Sequence, residues 1–132
     1  MTSTKRSRQF SDLNLMFSAH PITGDVSRVF DENAVKKSVL HLIMMKPYDV
    51  PFHPEISCQA NHLLFELASP LTSELIKKTI VDVLSKFEPR AQVTSVDVDD
   101  EIDSNAYKIT VVFTVVGTER PVSVSTLLQR TR

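Results

Sequence analysis

The fold is decided by the stretch IKKTIVDVLSKFEPRAQVTSVDV, residues 76–98, in which a helical pattern gives way to a strand pattern. Its first part places apolar residues at i, i+4, i+7, i+8 and i+11, which is the spacing of one helical stripe. These residues are Ile76, Ile80, Val83, Leu84 and Phe87. Pro89 cannot continue that helix, because it has no N–H donor and its ring clashes with the carbonyl four residues back. The stretch therefore predicts a helix, a sharp corner at Pro89 and a strand directly after it.

The corner carries two opposite charges, Glu88 and Arg90. Pro89 disfavours the helical conformation for Glu88, so the carboxylate is held extended near the negative end of the helix dipole. Arg90 presents a planar fork of donors at the same corner. Two interpretations are open: a helix end with a local Glu–Arg pair, or a rigid corner that binds a partner. The tripeptide alone favours the local pair.

An antiparallel sheet is predicted downstream of the corner. Val96 and Val98 alternate with aspartates, and strict alternation over residues 107–116 indicates a strand with one buried face. The inward residues of that strand are Tyr107, Ile109, Val111, Phe113 and Val115. We expect residues 99–106 and 117–121 to connect the strands of an antiparallel meander.

A third strand is predicted to open at Pro121. Its apolar positions are Val122, Val124 and Leu128. One face of this strand is polar and it carries no lysine, so its edge is poorly protected against pairing with another strand. Residues 10–17 are predicted to form a short extended segment, because Leu13, Leu15 and Phe17 alternate with polar residues. Either this segment covers the edge or a partner strand adds to it.

The first predicted helix begins at Asp31, a good N-cap residue, and ends near Met45. Its buried stripe is formed by Val35, Val39, Leu42 and Ile43. Prolines at positions 47, 51 and 54 predict an irregular loop over residues 46–58. A short helical patch is expected over residues 61–67.

The second long helix is predicted to be capped by Thr72, with Glu74 in its first turn paired to Lys78. Helices followed by a meander of strands predict an α+β fold, in which amphipathic helices pack in a second layer on a small antiparallel sheet. We expect residues 1–132 to form a single domain, with residues 1–9 as a flexible basic tail.

Length and composition exclude several function classes. The 132 residues are 42% apolar and 23% charged, as in a soluble globular domain. A net charge of −1 provides no general attraction for nucleic acid or for an anionic membrane, and no apolar run approaches a membrane span. The two glycines, Gly24 and Gly117, are too few for a nucleotide-binding loop. We therefore expect no cofactor, no nucleic acid and no membrane partner.

Metal and catalytic sites are not indicated either. The acidic run in residues 97–103 lacks the glycine and the final glutamate of a calcium-binding loop, which favours a solvated hairpin tip. The four histidines do not have the spacing of zinc ligands. A glycosidase would need two carboxylates across a cleft, and Glu55, Glu66 and Glu88 are candidates only because acidic residues are numerous. No serine, cysteine or histidine arrangement indicates a nucleophile.

Several motifs, in order, resemble the baseplate wedge proteins of contractile-tailed phages, also called sheath initiators, which have a relative in type VI secretion baseplates. The matching pieces are Thr23-Gly24-Asp25-Val26, Pro51-Phe52-His53-Pro54-Glu55, Leu63-Leu64-Phe65-Glu66, Thr72 with Ile76 and Ile80, and Phe87-Glu88-Pro89-Arg90. The strand over residues 107–116 follows at the expected distance. Ser57 departs from the pattern, since the family usually has a glycine soon after the Pro-Glu of the proline-rich loop.

The resemblance implies a structural subunit without enzymatic activity. Glu88, Pro89 and Arg90 would dock on a helical bundle formed by other wedge proteins. The third strand would accept strands of the tail sheath protein and so template sheath polymerisation, through Val122, Ser123, Val124, Ser125 and Thr126. The tail tube or central hub is a further candidate partner. Such a protein would reside in the tail baseplate of the virion, and in the host cytoplasm during assembly.

Two alternatives remain open at this point. The family has also been labelled lysozyme-like, and a small peptidoglycan hydrolase would use Glu88 or Glu55 as its acid. The chain could also be the equivalent baseplate component of a type VI secretion system or a tailocin.

Overall fold

A computed structural model describes residues 10–130, so the predicted flexible tail, residues 1–9, lies outside the described part of the chain. The described elements are β1 (Ser11–Leu13), β2 (Arg28–Phe30), α1 (Asp31–Met44), α2 (Ala60–Leu63), α3 (Pro70–Phe87), β3 (Ala91–Glu101), β4 (Ala106–Val115) and β5 (Pro121–Gln129). The α+β prediction is confirmed. Within residues 10–130 no helix combines the length and the apolar character needed to cross a membrane.

The three C-terminal strands form an antiparallel sheet in the order β3-β4-β5, which is the predicted meander. Its register aligns Val96, Val111 and Val124 across the three strands on one face. The next row, Asp97, Thr110 and Ser125, lies on the opposite face. Because alternate residues point to opposite faces, one face of the sheet is apolar and buried and the other is polar.

The helices cover the apolar face, with α3 in contact with β3 and α1 in contact with β5. Each helix contributes the stripe that the sequence predicts, except that Val83 and Phe87 of α3 are only partly buried. The buried residues are Val35, Val39, Leu42 and Ile43 of α1 and Ile76, Ile80 and Leu84 of α3. They belong to the same core cluster as the inward residues of the sheet. The amphipathic helices therefore form a second layer on the sheet, as expected.

Two helix starts differ from the predictions. Phe30, not Asp31, occupies the N-cap position of α1, and the Asp31 carboxylate instead accepts a hydrogen bond from the Phe10 N–H at 3.1 Å. In α3 the cap is Ser69, whose hydroxyl accepts from the Thr72 N–H at 3.2 Å. The helix then begins at Pro70, which is tolerated in the first turn because the missing donor would have no helical partner there. Both helices therefore begin earlier in the chain than the predicted caps imply.

Local pairings also differ. Glu74 pairs with Lys77 at 3.8 Å rather than with Lys78. The short helix spans Ala60–Leu63, less than the predicted patch. Strand β3 continues to Glu101, so the hairpin connection is reduced to the 3₁₀ turn Ile102–Ser104 and Asn105. Asp97 and Asp99 of β3 lie opposite Thr110 and Lys108 of β4, on the polar face of the sheet, which accommodates charges.

The N-terminal segment does not cover the edge of β5. Strand β1 pairs with β2, with Asp12 opposite Val29, in a separate two-stranded sheet. The alternative in which residues 10–17 occupy the third strand's edge is therefore wrong. Within residues 10–130, no other strand pairs with the outer edge of β5.

Candidate docking corner and open sheet edge

The Glu-Pro-Arg corner is built by the end of α3. Glu88 is the C-cap residue, with φ −126° and ψ 75°, and its N–H donates to the Leu84 carbonyl at 2.9 Å. Pro89 is exposed at the tip, and the Ala91 N–H donates a hydrogen bond to the Glu88 carbonyl at 3.2 Å. The backbone therefore turns within three residues and enters β3 at once. The prediction of a helix end followed directly by a strand is confirmed.

The charged groups of the corner form a network with two distant segments. Arg90 donates to both carboxylate oxygens of Glu88, from Nε to Oε1 at 2.7 Å and from Nη2 to Oε2 at 2.9 Å. It also donates from Nη1 and Nη2 to the two oxygens of Asp12 in β1, each at 3.1 Å. The Ser38 hydroxyl of α1 donates to Glu88, and the guanidinium lies over the Phe10 ring at 5.6 Å. Arg90 thus links the corner to β1, and Glu88 links it to α1.

The charged groups of this network are largely shielded from solvent. Glu88 is only 2% exposed, whereas a quarter of the Arg90 side chain is accessible. Burial raises the pKa of Glu88, but the hydrogen bonds from Arg90 and Ser38 outweigh it and hold the pKa below its ordinary value. The hydrogen bonds that Arg90 donates, first to Glu88 and then to Asp12, raise the pKa of Arg90 above its ordinary value. Both groups are therefore charged at neutral pH.

Sequence reasoning missed Asp12 and Ser38, which lie 78 residues from Arg90 and 50 residues from Glu88. No periodic signal connects positions so far apart in the chain. A cavity of about 440 Å³ lies beside the network, between β1 and α1, and Asp12 and Ser38 are part of its wall. The corner thus presents Pro89 and the accessible side of Arg90 to solvent, while Glu88 faces inward.

The free edge of β5 can be assigned residue by residue. The Arg130 N–H donates to the Asn105 carbonyl at 3.2 Å, in register with the β4–β5 pairing. Main-chain groups of successive strand residues point to alternate sides, so Val122, Val124 and Thr126 direct theirs toward β4. The outward set is Ser123, Ser125, Leu127 and Gln129. Among residues 10–130, none of these outward N–H and C=O groups has a hydrogen-bond partner.

The other edge of the sheet, β3, is protected in two ways. It has an irregularity in register between Val93 and Ser95, and its second half carries four acidic side chains over residues 97–101. Bulges and charges are the devices that discourage strand addition. Strand β5 has no charged residue from Pro121 to Gln129 and pairs with β4 without a break in register. Of the two edges, β5 is therefore the one suited to another strand.

Candidate catalytic carboxylates are not brought together with a nucleophile. Glu88 is committed to Arg90 and Ser38, and exposed Glu55 lies 2.8 Å from His53 Nδ1. The hydrogen bond from His53 lowers the pKa of Glu55. Within residues 10–130 no three acidic, histidine or cysteine side chains are grouped as a metal site would require.

The family of this chain follows from comparison with known proteins. A sequence profile described as baseplate wedge protein gp25 matches residues 30–120, well over half of the chain. The chain belongs to this family. The baseplate wedge protein gp25 of Enterobacteria phage T4 is 30% identical over 92 residues, which are 70% of this chain and 70% of that protein.

Two solved structures share the fold. A Geobacter sulfurreducens protein proposed to be a tail lysozyme superposes with a TM-score of 0.70 and 17% identity, over 76% of this chain and 92% of that one. A chain of the anti-feeding prophage baseplate superposes with a TM-score of 0.64 and 19% identity, over 89% of this chain and 83% of that one. The resemblance to baseplate wedge proteins is confirmed by the family profile and the phage relative.

Proposed function

We propose that this protein is a non-enzymatic subunit of a contractile-tail baseplate wedge, which docks through its Glu-Pro-Arg corner and templates the tail sheath through β5. The observation that carries the proposal is the uncharged edge of β5, whose outward main-chain groups are unpartnered within residues 10–130. Such an edge binds an extended segment by main-chain hydrogen bonds. The sheath protein is the proposed source of that segment.

Docking at the corner assigns different roles to its three residues. Pro89 and the accessible part of Arg90 contact the helical bundle of other wedge proteins. Glu88, which is buried, fixes the orientation of the Arg90 guanidinium by a bidentate pair. Four of the five guanidinium N–H groups donate to Glu88 and Asp12, so one N–H of Nη1 remains for a carbonyl or carboxylate of the partner. Because the side chain is already held in place, it loses little entropy on binding.

Templating at β5 uses alternate residues of the stretch Val122, Ser123, Val124, Ser125 and Thr126. The main chain of Ser123 and Ser125 offers donors and acceptors to the incoming strand. Val122, Val124 and Thr126 hold β5 in register with β4. The template is thus rigid on one side and open on the other.

A hydrolytic role is disfavoured by the acid–base chemistry. A glycosidase acid must be protonated near neutral pH, which requires a raised carboxyl pKa. Hydrogen bonds lower the pKa of Glu55, and at Glu88 they outweigh the opposing effect of burial on its pKa. Neither residue suits the role of acid, so we propose that the protein has no catalytic residue.

The proposed location is the tail baseplate of a virion, with assembly in the host cytoplasm. The partners would be other wedge proteins and the sheath protein, with the tail tube or central hub as a further contact. The phage relative, at 30% identity, favours a phage tail over a secretion system or tailocin.

Sheath assembly on reconstituted baseplates tests the template. Ser125→Pro removes an outward donor of β5, and a proline is tolerated where the N–H faces solvent. We expect baseplates that contain this variant to carry no sheath. Asp100→Pro places the same change on the outward side of β3 and should leave the sheath intact. Sheath of normal length on Ser125→Pro baseplates would contradict the template.

Co-purification with the other wedge proteins tests the corner. Arg90→Ala alters the docking surface and the internal network, whereas Ser38→Ala weakens only the internal network. At a temperature where both variants are folded, we expect Arg90→Ala alone to be lost from the wedge. Equal incorporation of the two variants would show that the corner is structural only.

A cell-wall turbidity assay tests the absence of catalysis. We expect no lysis by the purified protein. Dose-dependent lysis that disappears in a folded Glu55→Gln or Glu88→Gln variant would establish a hydrolase instead.

A further inference from the structure

An apolar groove lies alongside the second half of β5, between the strand and the ends of α1 and α2. It has a volume of about 330 Å³. Two large apolar side chains in its wall are exposed, namely Met44 and Phe65. An exposed apolar cluster of this kind, next to polar main-chain groups without partners, is typical of an interaction site rather than of a solvated surface.

The groove and the open edge have matching geometry. A residue added directly opposite a β5 residue shares its face of the sheet. Leu128 faces the helical layer and also lines the groove, while the outward main-chain groups of Leu127 and Gln129 border it. A strand added to β5 would therefore direct the side chain opposite Leu128 into this groove.

We propose that the groove is a side-chain pocket that selects the incoming strand. The occupant is an extended segment of a partner subunit with a large aliphatic or aromatic residue at the position opposite Leu128. An extended segment is favoured over a helix because only an extended main chain satisfies the N–H and C=O groups that border the groove. This inference rests on the proposed template function of β5 and adds a sequence requirement to it.

The pocket changes what determines specificity. Main-chain hydrogen bonds accept almost any extended sequence, so the edge alone would pair with many strands. A pocket beneath the edge rejects strands that place a small or polar residue there, because the apolar wall then stays hydrated or contacts an unsatisfied polar group. Register is fixed at the same time, since a shift by one residue would turn the large side chain toward solvent.

The test uses two short synthetic peptides as probes, one alternating leucine with threonine and one alternating serine with threonine, both with lysine ends. Amide hydrogen exchange by NMR reports protection of the outward N–H groups of Ser125 and Leu127. We expect the leucine peptide to protect these amides and to bind roughly tenfold or more tightly than the serine peptide, as burial of one aliphatic side chain predicts.

Matched variants assign the preference to the pocket. Phe65→Asp places a charge in the groove wall, and Leu71→Asp places one at an equally exposed site on α3, both side chains being 71% exposed. The leucine preference should disappear in Phe65→Asp and persist in Leu71→Asp. Met44→Gln, a milder change in the same wall, should reduce the preference and guards against a folding defect in Phe65→Asp.

Failure of the pocket and failure of the template are distinguishable. If both peptides protect the edge equally, or if Phe65→Asp and Met44→Gln retain the leucine preference, the pocket is overturned while the template stands. Loss of all protection in Ser125→Pro identifies the edge as the binding element. If neither peptide protects any outward amide of the wild-type protein, the template is overturned together with the pocket.

Discussion

The Glu-Pro-Arg corner and the β5 edge differ in whether their polar groups have hydrogen-bond partners within the described part of the protein. At the corner, Glu88, Arg90, Asp12 and Ser38 partner one another inside the protein. At β5, four consecutive outward positions are without main-chain partners among the described residues. The conspicuous charges are thus largely occupied, and the available hydrogen-bonding capacity is in an uncharged strand. The conspicuous Glu-Pro-Arg motif thus mainly holds its own side chains in place, while the uncharged strand β5 provides the main-chain groups that are open to a partner.

This difference predicts different responses to substitution. A buried charge that loses its partner is strongly destabilising, because the remaining charge is left in a poorly hydrated site. An outward group at a strand edge is already hydrated, so its removal changes stability little. Substitutions at the corner should therefore affect folding first, and substitutions at the edge should affect assembly first.

The largest effect is expected from Val124→Pro. Val124 directs its main chain toward Val111 of β4, and its side chain is buried. Proline there removes a ladder donor and leaves a buried carbonyl without a partner, at a cost of roughly 4 kcal/mol or more. Ser125→Pro, one residue away, should cost much less because its donor points outward.

Chemical denaturation of the two proline variants measures this contrast. A Ser125→Pro variant as unstable as Val124→Pro would show that the assignment of inward and outward groups is reversed. Val124→Pro is for this reason unsuitable as a test of sheath growth.

Arg90→Ala should have the next largest effect. It leaves the Glu88 carboxylate buried with Ser38 as its remaining hydrogen-bond partner. We expect a loss of about 3 kcal/mol in the free energy of unfolding, at the low end for a buried pair because Arg90 is partly accessible. Arg90→Lys should recover only part of it, since an ammonium cannot pair with two carboxylates in bidentate fashion. A loss below about 1 kcal/mol for Arg90→Ala would instead match a surface pair.

The sequence predicted what local periodicity determines. The stripes of α1 and α3 and the alternation in β4 are each repeated several times within one segment, so the buried faces and the α+β class follow from them. The Glu88–Arg90 pair could also be predicted from the sequence, because both residues flank one proline.

What the sequence could not provide depends on tertiary contacts. Asp12 and Ser38 meet Arg90 and Glu88 only after β1 and α1 pack against the corner. The partner of residues 10–17 was likewise undetermined, because a short strand with mixed polarity fits several edges. The inward and outward sets of β5 require the hydrogen-bond phase of the sheet, which side-chain alternation does not reveal.

Acid should weaken the corner before it affects the edge, which has no titratable group between Pro121 and Gln129. The pKa of Glu88 is lowered in the folded state from an ordinary value of 4.5. Its contribution to stability is therefore complete above that pH and is lost as the pH falls below it toward the folded-state pKa. The loss should approach about 1.4 kcal/mol per pH unit at most.

Unfolding free energies of the wild type and Glu88→Gln between neutral and acid pH measure this contribution. The difference between the two proteins should shrink as the pH falls below 4.5. A difference that stays constant with pH would show that Glu88 is not ionised in the native network.

The smallest effect is expected from Asp12→Asn, which tests how the network is divided between its two carboxylates. The Asp12 side chain is 37% exposed and its bonds to Arg90 are 3.1 Å long, compared with 2.7 Å and 2.9 Å for Glu88. Solvent screens such a pair, so the substitution should cost roughly 0.5–1 kcal/mol. A double-mutant cycle with Arg90→Ala isolates the coupling, because the cost of Asp12→Asn should largely vanish once the guanidinium is absent. If Asp12→Asn alone costs as much as Arg90→Ala, the attachment of β1, rather than the buried Glu88, is the main role of the arginine.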